Sequence, residues 1–186
     1  MAAVLMLAVL TPGVSNAAKT HLTEVARISA PPAGKALVNI HRRLKDSLAG
    51  NSIRSPIFDG SGTFLMDLPG DCECQLVCEP GQKTFITWYG ASSVCVVTAE
   101  LAPDKKYDLV LCLDSKGVVL VPLSQAPAKL RKLDLDGPKQ QQAEKVFTLQ
   151  RDEAALSYEA SQKAHIEQIK TDFLGGKKSG RVVHVN

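Results

Sequence analysis

From residue 35 to residue 123 the chain is a succession of short apolar or alternating segments, broken every eight to twelve residues by turn signals. Residues 35–42 (KALVNIHR) set Ala36, Val38 and Ile40 against Lys35, Asn39 and His41. Residues 53–58 end at the turn dipeptide Asp59-Gly60, and 63–68 follow. Residues 72–78 (CECQLVC) lie between Pro69-Gly70 and Pro80-Gly81, and 83–89 (KTFITWY) are rich in β-branched and aromatic side chains. Residues 93–101, a turn at Ala102-Pro103-Asp104-Lys105, and residues 106–113 read as a hairpin, and 117–123 (GVVLVPL) form a last apolar run. This rhythm predicts a mainly β fold, an antiparallel β-sandwich of seven or eight short strands. No βαβ alternation is present, which argues against a parallel α/β enzyme fold. Val38, Ile40, Phe85, Val94, Val96, Tyr107, Leu109, Leu111 and Leu113 are the expected core.

The last third has a different grain. Residues 126–142 are rich in Lys, Gln, Asp and Pro and read as a connector, and 145–150 as one further strand. Residues 152–174 carry a helix, with Asp152 as its cap and Gly175-Gly176 as its stop. Ala155, Tyr158, Ile166, Ile169 and Phe173 fall on one stripe, so the helix is expected to pack on or beside the sandwich. Glu159, Lys163 and Glu167 stand four apart, a spacing for weak ion pairs. Residues 180–186 (GRVVHVN) read as a returning edge strand. The expected organisation is thus 1–17 signal peptide, 18–34 linker, 35–123 sandwich domain, and 124–186 connector, helix and terminal strand.

The signal-peptide reading rests on residues 1–17, which hold no charged side chain, with an apolar run over 2–10 and Ser15-Asn16-Ala17 at the −3 to −1 positions of a cleavage site. The absence of Lys or Arg before that run points to a start codon slightly upstream. The expected location is periplasmic or extracellular. No other apolar stretch approaches the length of a transmembrane helix, so the mature chain is expected to lack one. The net charge is +3, and all of the excess lies after residue 126, where 11 basic residues face 8 acidic ones. That is too weak a bias to imply nucleic acid as a partner.

Export gives the five cysteines a disulfide reading. If Ala102 opposes Lys105 across the hairpin turn, with Pro103 presetting the turn, Cys95 falls directly opposite Cys112, and a cross-strand disulfide is expected. Cys72, Cys74 and Cys78 share one strand face and form a second candidate, a thiol or metal site.

The turns carry a resemblance. Residues 35–42, Phe58-Asp59-Gly60, Glu79-Pro80-Gly81-Gln82-Lys83-Thr84-Phe85 and Leu101-Ala102-Pro103-Asp104-Lys105-Lys106-Tyr107 resemble an uncharacterised bacterial domain family of exported proteins and lipoproteins. The resemblance implies a small β-sandwich and brings no established activity. Asp104 replaces a usual Gly, Asp108 replaces a usual aromatic, and the lipoprotein Cys is missing.

Catalytic signatures are wanting. His21, His41, His165 and His184 lie in no recognised frame, and no G-x-S-x-G is present. Asp59-Gly60-Ser61-Gly62 reads as a hairpin turn rather than a calcium loop, since the alternating acids and terminal Glu are lacking. Trp88 and Tyr89 could offer a platform to a sugar, although a lone Trp usually fills a core. Lys177, Lys178 and Arg181 could contact anionic glycans or head groups; their G-K-K-S follows a helix, whereas a P-loop precedes one. The expectation is a non-enzymatic exported envelope protein without a cofactor, a structural or interaction module meeting an envelope protein or glycan. The alternatives are a carbohydrate- or anion-binding module and a thiol or metal protein.

Overall fold

The computed structural model describes residues 22–43, 55–68, 72–89, 93–114, 117–132, 145–174 and 181–185. Its strands are β1 (Leu22–Val25), β2 (Ala36–Arg43), β3 (Ile57–Asp59), β4 (Phe64–Met66), β5 (Glu73–Cys78), β6 (Gly81–Tyr89), β7 (Ser93–Leu101), β8 (Lys106–Asp114), β9 (Gly117–Pro122), β10 (Val146–Leu149) and β11 (Arg181–Val185). They form a six-stranded sheet, ordered β1-β10-β5-β2-β8-β9, and a five-stranded sheet, ordered β11-β7-β6-β3-β4. The fold is mainly β, two sheets stacked as a sandwich, with helix α1 (Glu153–Ile169) on one outer face. No helix among the described residues is long and apolar enough to cross a membrane.

The period of two decides which side chains meet between the sheets. Val38 and Ile40 of β2, Phe85 of β6, Val97 of β7, and Leu109 and Leu111 of β8 are buried in this core. Val96, also expected inside, is buried on the other face of β7, against α1. Val94, Tyr107 and Leu113, expected to be buried, are half-exposed. Tyr107 sits beside the turn after β7, where Ala102 N donates to its hydroxyl at 2.8 Å.

Two expectations about pairing change. β7 and β8 are not a hairpin, because they belong to different sheets. The turn between them is pinned to the start of β2: Gly34 N donates to Asp104 Oδ1, Asp104 N donates to Lys35 O, and Leu37 N donates to Lys105 O. Those bonds carry β8 across to lie parallel with β2, Leu37 beside Lys106 and His41 beside Val110. Asp104 has φ 58°, the left-handed conformation that glycine adopts freely and aspartate tolerates. The sheets are also mixed rather than purely antiparallel, since β10 with β5 and β11 with β7 are parallel too. The second change is at the N-terminal side, where β1 occupies part of the expected linker and joins the six-stranded sheet through β10.

The sheets approach each other at β7 and β9. Ser93 Oγ donates to Val118 O and Cys95 Sγ to Leu120 O. Gly117 is required there: at φ 115° a Cβ would stand 2.4 Å from Ser93 Oγ. At the opposite end, β4 is an edge strand whose backbone is answered by side chains. Phe64 N donates to Glu159 Oε2 at 2.8 Å, and Phe64 O accepts from Arg151 at 3.2 Å. Arg151 also pairs with Glu159 at 3.0 Å, so one ion pair stands in for a missing neighbouring strand.

Helix α1 begins as the sequence predicts, with the Asp152 carboxylate accepting from Ala155 N at 2.9 Å. Its stripe covers the outer face of the five-stranded sheet. Ala155, Ile166 and Ile169 bury against Phe58, Phe64, Ile86, Trp88 and Val96, with Tyr158 and Phe173 at the margin. Phe58 is the hub, its ring centroid 5.1 Å from Phe64, 5.2 Å from Trp88 and 6.1 Å from Tyr158.

Candidate functional site

The densest polar arrangement among the described residues lies on the outer face of the six-stranded sheet. Strand register builds it in rows, because paired residues share a face. His41 of β2 stands beside Glu73 of β5, and Asn39 stands between Gln75 of β5 and Asp108 of β8. His41 Nε2 lies 3.0 Å from Asp108 Oδ1 and Nδ1 lies 3.5 Å from Glu73 Oε2. Asn39 Nδ2 donates to the same Asp108 oxygen at 2.9 Å, and Asn39 Oδ1 accepts from Gln75 Nε2 at 3.1 Å. The segment after β1 roofs the array. Arg27 donates to Glu73 Oε2 at 2.6 Å, and the backbone of Ile28 exchanges two hydrogen bonds with the Gln75 amide.

Asn39, His41 and Glu73 are all buried, at 3%, 1% and 0% exposure. Burial would raise the Asp108 pKa. Hydrogen bonds from His41 and Asn39, with the charges of His41 and Lys106, outweigh it and hold the carboxyl below the ordinary aspartate value. A depressed folded-state pKa gives stability that is present above the unfolded pKa and lost as pH falls through the folded one. The wild-type melting temperature is therefore expected to drop on acidification below about pH 4, more steeply than that of Asp108→Asn. Parallel melting curves against pH check this.

This array can clamp two strands and a loop. Chemically, it holds an acid–base side chain with a carboxylate at each ring nitrogen. Local sequence pattern does not disclose it, because His41, Glu73 and Asp108 are dispersed along the chain and meet only through register. The available signal was alternation: Asn39 and His41 on β2, and Glu73 and Gln75 on β5, are the outward positions of strands whose inward positions are apolar.

The expected site residues are distributed as follows. Cys95 and Cys112 sit in different sheets, Cys95 beside Thr87 and Cys112 beside Val119, so the hairpin register that opposed them does not exist. All five cysteines are thiols, and the expected disulfide is not formed. Cys72, Cys74 and Cys78 do share a face, the inner one, where the first two are fully buried and the third is half-buried. Burial, reinforced by Glu73 and the neighbouring thiols, pushes the Cys74 pKa well up, and burial also raises that of Cys78. Thiolate chemistry is disfavoured at such positions. Among the described residues no three His, Cys, Asp or Glu side chains are placed to hold a metal. Cys78 is expected to alkylate first in the native protein, with Cys72, Cys74, Cys95 and Cys112 following only on unfolding. Mass spectrometry of a native alkylation time course checks it, and early labelling of Cys74 would contradict the facing of β5.

Trp88 and Tyr89 do not make a joint platform. Trp88 is buried beneath α1, edge-on to His165 at 4.9 Å, while Tyr89 points to the other face of the strand and is exposed. Partial desolvation there lowers the His165 pKa. Lys177, Lys178, residues 1–17 and the side chain of Arg181 lie outside the described residues.

A groove of about 320 Å³ runs between α1 and the β3–β4 turn, bordered by Ser61, Gly62, Thr63, Leu156, Ala160 and Lys163. The turn is held by Asp59, whose Oδ1 accepts from Ser61 N, Ser61 Oγ and Thr63 N. The helix carboxylates do not pair as their spacing suggested. Glu159 is taken by Arg151 and the Phe64 amide, and Glu167 by Lys170 at 3.0 Å. No family model matches the chain, and no curated protein or solved structure matches it.

Proposed function

We propose that the chain is a non-enzymatic exported module of the cell envelope, with a structural or interaction role, in line with its resemblance to a bacterial domain family of exported proteins. The observation that carries this reading is His41. It is the best-placed acid–base group described, yet it is 1% exposed with both ring nitrogens occupied by carboxylates. A general base needs a nitrogen within reach of a substrate proton, and here the ring holds strands together. The thiols support the same reading: Cys72, Cys74, Cys95 and Cys112 are packed into the core, and burial raises the pKa of Cys74 and of the half-buried Cys78. Burial of this kind also lets thiols persist in an oxidising compartment, which reconciles export with the absence of a disulfide among them.

The test is fractionation with N-terminal sequencing, followed by chemical cross-linking in the same fraction. The expected result is a periplasmic or extracellular chain beginning at Ala18 that forms a discrete adduct with an envelope component. Intact Met1 in a cytosolic fraction overturns the proposal.

A further inference from the structure

We infer that the groove between α1 and the β3–β4 turn is a binding site for a hydroxylated carboxylate, an acidic sugar of the hexuronate class. Three features of its lining specify that chemistry. The first is charge. Of the ionised side chains bordering the groove, Glu159 is matched by Arg151 and Glu167 by Lys170, whereas Lys163 makes no ion pair among the described residues. An ammonium left over beside two neutralised carboxylates favours an anion.

The second feature is the hydrogen-bond balance of the turn. The Ser61 hydroxyl donates its proton to Asp59 Oδ1, so in the 2.9 Å contact between Ser61 and Thr63 the Thr63 hydroxyl is the donor. Both protons are thereby spent, and the hydroxyl oxygens retain lone pairs that can only accept. Gly62 N is spent too, on Asp59 O. The turn thus offers acceptors to ligand hydroxyl groups and leaves the ligand's negative charge to Lys163. The third is the wall. Leu156 is 49% exposed, a large aliphatic side chain held open on a helix, and with Ala160 it gives the groove an apolar side. A pyranose ring presents C–H faces to such a wall and hydroxyls at its rim. At about 320 Å³ the groove lies at the small end of ligand sites, suited to a monosaccharide unit.

The site is independent of the envelope role proposed above, since it needs only α1 and the β3–β4 turn. The test is amide NMR titration of the full chain with sodium glucuronate, glucose and acetate as separate probes. Glucuronate is expected to shift the Gly62, Thr63 and Lys163 amides saturably. Glucose, lacking the charge, and acetate, lacking the hydroxyls, are each expected to require about tenfold higher concentration. Lys163→Met should bring glucuronate down to the level of glucose without moving the melting temperature, because Lys163 has no ion pair among the described residues to lose. Leu156→Ser should weaken glucuronate and glucose alike. Equal saturation by acetate and glucuronate overturns the inference in favour of a generic anion contact. Shifts confined to other residues, or a glucuronate preference that survives Lys163→Met, overturn it as well.

Discussion

Phe58→Ala is expected to destabilise the protein by about 3–5 kcal/mol and to loosen α1 from the five-stranded sheet. Phe58 is fully buried and contacts Phe64, Trp88 and Tyr158, so its removal opens a cavity at the centre of the aromatic layer rather than at its edge. The helix depends on that layer. It buries Ala155, Ile166 and Ile169, and its 17 residues include Ser, Tyr and His, which are indifferent helix formers. A helix of this length is marginal without its apolar floor. Urea melts should show a lower midpoint, and amide exchange should show α1 opening before the strands. If α1 exchange stays coupled to global unfolding, the Arg151–Glu159 contact with β4 is holding the helix, and the aromatic layer is not.

The second large effect is expected at Arg27. Its guanidinium is the close cation of Glu73, a carboxylate with 0% side-chain exposure and one oxygen, Oε1, without a hydrogen-bond partner among the described residues. Arg27→Ala leaves that carboxylate buried beside His41, at 3.5 Å. Removing one member of a buried pair costs about 3–5 kcal/mol, because the remaining charge cannot recover its hydration. The double variant Arg27→Met/Glu73→Gln should recover part of it at neutral pH. Urea denaturation of the single and double variants distinguishes this from simple loss of contacts by a surface arginine, for which no rescue would occur.

These two sites differ in how far the sequence disclosed them. The α1 interface was readable from local pattern. Asp152 as cap, the stripe from Ala155 to Phe173, and Trp88 as a core residue all follow from helical period, capping chemistry and aromatic size. The outer-face network was not readable, because Asn39, His41, Glu73 and Asp108 come from three strands whose register is not a local property. The Lys163 position was half-readable. The i,i+4 spacing drew attention to it, but Arg151 and Lys170 were the stronger competitors for its neighbours.

Side-chain alternation and turn residues, acting over a few positions, set where most strands begin and end, and which face of each is apolar. They were sufficient for β7, which runs over the nine residues expected, and for the inward facing of Val38, Ile40, Leu109 and Leu111. Partnership was decided only when distant segments met. A four-residue link reads the same whether its strands stay in one sheet or part to two. Hydrogen bonds from Gly34 N to the Asp104 carboxylate, from Asp104 N to Lys35 O and from Leu37 N to Lys105 O sent β8 to β2 and left Cys95 and Cys112 in separate sheets.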